Sequence, residues 1–181
     1  NIALAMEMFD RDVQPIMDEY LDGLIKEKVF VKDSRAWNNY INYKPLIEFC
    51  KNKKIPVICA NAARRYTNLV GREGLQGLKK IPSASFNFIA PLPYDTAVGK
   101  YYNKLMGLSN HSGKTIDTNK TTAIPISMGG FNLVLAQSLW DATMAYSIAS
   151  FKNNNKNHKV IMINGRFHSE ESLGIVTQLD K

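Results

Sequence analysis

Cysteine is scarce in this chain: Cys50 and Cys59 are the only two among 181 residues. Two thiols make neither a disulfide framework nor a paired metal knuckle, so both read as small core residues. No apolar run reaches the roughly 18 residues that a membrane-spanning helix needs. No internal repeat and no secretory leader are visible. A complete phosphate-binding loop is missing as well. Gly113-Lys-Thr115 has the right ending, but position 108 is Leu and no strand precedes it. The net charge of +7 has no clustered basic stripe behind it. Lys51, Lys53 and Lys54, like Lys79 and Lys80, fall at predicted helix C-termini, where cations complement the helix dipole. Nucleic-acid binding is therefore not expected.

With 45% hydrophobic and 22% charged residues, the composition is that of a single globular domain spanning 1–181. The chain opens at Asn1 with strand-like residues and no initiator Met, which reads as a fragment or processed product. Three short apolar runs suit strands buried on both faces: Ile2 to Met6, Ile55 to Ala60 and His158 to Ile163. Between them lie helical patterns. Asp10 is placed to cap a helix through about Lys26. A second helical stretch follows Asp33 or Ser34 and is expected to divide at Pro45. A third runs from Ala62 towards Leu78, weakened by Gly71, Gly74 and Gly77.

Residues 81–130 read as a long variable insertion, with a short helix from Asp95 to about Met106 and a polar loop over 107–130. The strongest helical pattern covers Phe131 to about Phe151, and Ser169 is placed to cap a last helix. This alternation predicts an α/β fold: a parallel sheet with helices on both faces, incomplete at both ends.

Ligands of parallel sheets gather at the carboxyl ends of the strands. Glu7 and Asn61 end the first two predicted strands, and His168 follows the third through a turn that Gly165 permits. Glu7 is flanked by Met6 and Met8, where an unpaired charge is costly. A Glu and a His at one edge can act as acid and base, contribute to a metal site, or bond to each other.

Several segments in order resemble the ChaN-like haem-binding uptake family of the Tiki superfamily. They are Ala5-Met-Glu-Met-Phe-Asp10 with Gln14, Trp37, Tyr43-Lys-Pro-Leu46, and Ile55 to Asn61 with Arg64. Gln137-Ser-Leu-Trp-Asp141 with Met144 and Ala145, and Gly165-x-x-His168, complete the set. The resemblance implies a bacterial cell-envelope protein, often a membrane-anchored lipoprotein, that serves haem or iron acquisition. It implies haem as cofactor, held in a homodimer with tyrosine on the iron. Candidate cofactor-binding residues are then Glu7, Asn61, Arg64, Asp141 and His168, with Tyr43 matching a recurrent family tyrosine. Arg64 and Arg65 could pair with haem propionates. The family opens with a strand bearing a Gly-Glu-x-His motif, expected upstream of Asn1, and continues beyond a segment like Gly174 to Leu179.

Haem binding in uptake ranks first among the readings, ahead of catalysis. The alternative is a metal-dependent hydrolase, an esterase or peptidase, with Glu7 and His168 as catalytic candidates and a divalent metal. A third reading is a binding or scaffold module in which the same residues form a structural network.

Overall fold

The computed structural model of the protein describes residues 1–110, 127–128 and 131–180. Strand β1 (Ile2–Asp10) leads through a 3-10 turn (Arg11–Val13) into α1 (Gln14–Leu21), α2 (Glu27–Asp33) and α3 (Tyr40–Lys53). Next come β2 (Val57–Asn61), α4 (Arg64–Glu73) and two 3-10 segments (Leu75–Lys80 and Ser83–Phe88). Helix α5 (Gly99–Asn110) is followed by the two-residue strands β3 (Ser127–Met128) and β4 (Phe131–Asn132), which pair antiparallel. Helix α6 (Leu133–Asn154), β5 (Lys159–Ile163) and α7 (Ile175–Leu179) complete the described chain.

The main sheet has the order β2-β1-β5, with both pairings parallel. The expected α/β architecture is thus present, with β1 at its centre. Side chains alternate across a strand, and this alternation builds the two layers. Leu4, Met6, Met8, Val57 and Cys59 pack against α1, α2 and α3 through Met17, Tyr20, Phe30, Tyr40, Tyr43 and Ile47. Ala3, Ala5, Ile58 and Ala60 face the other way, against Met144 and Ala145 of α6 and Ile175 of α7. Alanines on the α6 side let that helix approach the sheet closely. The register shifts between Met6 and Asp10, and Phe9 joins the same cluster as Met8 there, so the alternation breaks beyond Glu7.

Both outer edges of a three-stranded sheet expose backbone groups. At β2 the amide of Gln14 takes the place of a neighbouring strand. Its Nε2 donates to the Val57 carbonyl at 2.9 Å, and its Oε1 accepts the Cys59 N–H at 2.7 Å. At β5 the pattern is more open, and Ile161 is 49% exposed.

Several boundaries differ from the sequence expectations. β1 continues to Asp10, so Asp10 caps no helix after it; its carboxylate instead accepts the Arg64 N–H at 3.1 Å. The helix then starts at Gln14, which puts Pro15 in its first turn, and it ends at Leu21 rather than Lys26. Pro45 lies inside one continuous helix, Tyr40–Lys53, because Tyr40, Tyr43, Ile47 and Cys50 bury a single stripe on both sides of it. Lys54 closes that helix in the left-handed region (φ 53°). The pattern from Ala62 breaks at Gly74 (φ 69°), as the glycine-weakened reading anticipated. The short helix expected over Asp95–Met106 lies instead at Gly99–Asn110. Asn132 caps α6 by accepting the Leu135 N–H at 3.0 Å. Ser169 caps nothing: a 3-10 turn (Glu170–Ser172) follows it, and α7 begins only after Gly174. Most of the polar loop expected over 107–130, with His111, lies outside the described residues.

Candidate functional site

Three segments meet at the carboxyl end of β1. Glu7 is carried by β1 on the alanine side of the sheet, Asp141 by the middle of α6, and His168 by the 3-10 turn Arg166–His168 after β5. All three are well covered: Glu7 is 8% exposed and Asp141 1%. His168 lies between the two carboxylates. Its Nδ1 is 2.6 Å from Asp141 Oδ1 and its Nε2 is 3.3 Å from Glu7 Oε1.

Each carboxylate has a second partner. Glu7 Oε2 accepts the Gly165 N–H at 2.5 Å, and Asp141 Oδ2 accepts the Tyr101 hydroxyl at 2.5 Å. The Gln137 side-chain amide lies 2.9 Å from His168 Nδ1. Asn61 joins from β2: its Nδ2 donates to the Glu7 carbonyl at 3.0 Å, while its Oδ1 accepts the Ala62 N–H at 2.9 Å.

The electrostatics follow from this geometry. Burial alone would disfavour a charged imidazole, but the hydrogen bonds and charges of Asp141 and Glu7 outweigh it and push His168 up to about 9. Burial likewise raises Glu7, yet the bonds from His168 and Gly165 win, and its carboxyl is held below the usual range. For Asp141 burial prevails over His168 and Tyr101, and its carboxyl is raised. At neutral pH the ring is an imidazolium clamped between carboxylates, with both N–H groups directed at them. Asp141 in turn holds Tyr101 as a neutral phenol, which burial and the adjacent carboxylate both favour.

Two glycines lie beside the clamp. A Cβ on Gly165 would sit 3.4 Å from Glu7 Oε2, an ordinary van der Waals contact. Gly174 is more demanding: its φ is +58°, and a Cβ there would lie 2.4 Å from the His168 carbonyl oxygen and 3.1 Å from the Tyr101 hydroxyl.

The structure therefore brings Glu7, Asn61, His168 and Asp141 together. It does not bring Arg64 or Tyr43 to them. Arg64 is exposed and contributes its backbone N–H to Asp10. Tyr43 lies across the sheet, edge-on to Phe9 and Tyr40, and its hydroxyl accepts the Trp37 N–H at 3.0 Å. Arg65 is committed to Asp12 and covers the Tyr66 and Phe88 rings.

Tyr101 and Gly174 were not recognised from sequence. Tyr101 lies in the region read as a variable insertion, although Tyr101 and Leu105 mark a buried stripe four residues apart on α5. Gly174 stands out in the sequence only within a family segment.

The arrangement can hold a proton and fix three segments together. Among the described residues, no group of three or more His, Cys, Asp and Glu side chains is placed to hold a metal ion. Tyr43, the tyrosine that the resemblance offers for the iron, does not fit that role here: it is buried, and its hydroxyl accepts the Trp37 N–H. Both His168 nitrogens are engaged as well.

The protein is thus a parallel α/β sheet with a buried polar cluster at its carboxyl edge. Residues 1–179 match the model of the family described as haem-binding uptake, Tiki superfamily, ChaN, and the chain belongs to that family. No curated protein and no solved structure matches it significantly. Among the described residues, no helix is long and apolar enough to cross a membrane.

Proposed function

We propose that this protein binds haem and serves haem or iron uptake at the bacterial cell envelope. The observation that carries the reading is the family match over residues 1–179. Titrating the purified protein with hemin tests it. Saturable binding with a shifted Soret band is expected; an unshifted band with no saturation would sink the reading. Sedimentation with and without hemin tests the accompanying homodimer, and fractionation of expressing cells tests the envelope location.

One feature favours a second reading, a hydrolase. Glu7, His168, Asp141 and Tyr101 form a continuous buried acid–base chain at the edge where parallel sheets place their chemistry. An esterase and peptidase screen with added divalent metals, comparing wild type with His168→Ala, decides. Equal residual activity in both removes His168 from any mechanism.

A further inference from the structure

Helix α3 is apolar on two faces, and only one of them is covered. Tyr40, Tyr43, Ile47 and Cys50 turn inward onto the sheet. On the opposite face Ile41, Pro45, Leu46 and Phe49 follow one another at helical spacing, and all four are exposed. Ile41 is 70% exposed and Phe49 55%. Trp37, also exposed, stands just before the helix. Its N–H donates to the Tyr43 hydroxyl at 3.0 Å and its carbonyl accepts the Tyr40 N–H at 2.9 Å, which fixes it at the end of the ridge. Single exposed apolar side chains are ordinary on a protein surface. A row of them along one helix marks a place of interaction.

The charges around the ridge select its partner. Glu48 is the one acid within α3, and the Tyr20 hydroxyl donates to it. No exposed acid lies between Ile41 and Lys53. Lys51, Lys53 and Lys54 gather at the C-terminal end of the helix. Lys51 covers the Tyr20 ring at 3.8 Å. Lys53 and Lys54 are exposed, and among the described residues neither has an anionic partner. A second copy of this face offers those lysines no counter-charge. A nucleic acid meets the lysines but leaves the apolar ridge unused. A bilayer with anionic headgroups satisfies both: apolar side chains enter the boundary between headgroups and acyl chains, while ammonium groups stay among the phosphates. Tryptophan favours the same boundary. The net charge of +7 adds a longer-range attraction of the same sign.

We propose that the outward face of α3, together with Trp37, docks on an anionic lipid bilayer with the helix lying in the plane of its surface. The proposal is independent of haem binding, because α3 packs on the face of the sheet opposite to Glu7 and α6.

The experiment is co-sedimentation of the purified protein with vesicles, made of phosphatidylcholine alone or of phosphatidylcholine and phosphatidylglycerol in equal parts. Wild type is compared with Ile41→Gln plus Phe49→Gln, with Lys53→Gln plus Lys54→Gln, and with Val98→Gln. Val98 is an equally exposed apolar residue on the α6 side and serves as the control. All the replaced side chains are exposed, and circular dichroism checks that each variant is folded. Wild type is expected to bind the mixed vesicles roughly tenfold more tightly than the neutral ones, and less tightly as salt is added. Each double variant is expected to lose roughly tenfold or more on the mixed vesicles. Val98→Gln should lose nothing beyond about twofold, as for an isolated surface side chain. No binding by wild type, equal affinity for both kinds of vesicle, undiminished binding by either double variant, or an equal loss in Val98→Gln would overturn the proposal. Sedimentation equilibrium in buffer covers the other occupant: a wild-type dimer abolished by Ile41→Gln plus Phe49→Gln would assign the ridge to a second copy and overturn it as well.

Discussion

The two faces of the sheet are built from the same strands but carry different chemistry. Towards α1, α2 and α3, β1 presents Leu4, Met6 and Met8 to a packed set of rings. Phe30 sits at the centre of that set, stacked on Tyr20 at 4.4 Å and within 6.1 Å of Phe9 and Tyr40. Towards α6, the same strand presents Ala3, Ala5 and then Glu7. One face gains stability from apolar area and aromatic contact. The other gives up side-chain volume, draws α6 close, and lets Asp141 reach a histidine carried by the loop after β5. Buried charge is tolerated here because the alanine face brings the complementary groups within hydrogen-bond range.

One truncation on each face has the largest expected effect. Phe30→Ala is expected to cost roughly 3–5 kcal/mol by leaving a cavity. Asp141→Ala is expected to cost a similar 3–5 kcal/mol, here by stranding a buried charge. Denaturant melts read both losses. The faces separate in the titration of His168, which Phe30→Ala leaves in place and Asp141→Ala lowers.

A pH series sharpens the same contrast. The pKa of His168 in the folded protein is raised to about 9, so its contribution is complete below the unfolded value near 6.5 and is lost as pH rises through 9. The loss amounts to roughly 3 kcal/mol, since each pKa unit is worth about 1.4 kcal/mol. Thermal melts between pH 6 and 10 should show this decline in the wild type and a much smaller one in His168→Gln. On the acid side Glu7 has the opposite dependence: its folded value is lowered, so its contribution is present above the unfolded value near 4.5 and is lost as pH falls further.

Smaller effects test the supports. Gly174→Ala is expected to cost roughly 2–3 kcal/mol, because the residue has positive φ and its new methyl would meet the His168 carbonyl. The His168 resonances should shift with it. Gln14→Leu acts on the edge of β2, where it leaves the Val57 carbonyl and Cys59 N–H without their partner, and should cost about 1–2 kcal/mol in a urea melt. His168 should titrate unchanged in that variant.

Much of this architecture was legible in the sequence, for physical reasons. The runs of β1 and β2 stand out because those strands are buried on both faces, whereas β5 is apolar but half-exposed at the sheet edge, against expectation; the ends of the three runs point to Glu7, Asn61 and the turn to His168. The spacing of Gln137 and Asp141 puts both on one face of their helix, but one acidic residue on an apolar helix carries no signal about what it faces; its place in a binding site came from the family pattern. Tyr101 falls on the short helix expected from Asp95, but nothing in the sequence between a proline-rich stretch and a polar one shows that its hydroxyl meets Asp141. The place of Tyr43 could not be read either. A tyrosine on an amphipathic helix looks alike whether its hydroxyl meets a ligand or, as here, the Trp37 N–H. The limits of β1 were misread because Glu7 and Asp10 look like the polar end of a strand, and only their partners keep them within it.

An imidazolium locked between Glu7 and Asp141 is the centre of the site. The most direct test is a ¹⁵N NMR titration of His168, assigned by comparison with His168→Gln. Both ring nitrogens should report a protonated ring at pH 7, with the midpoint near 9. A ring that is neutral at pH 7 and titrates near 6.5 would contradict the clamp.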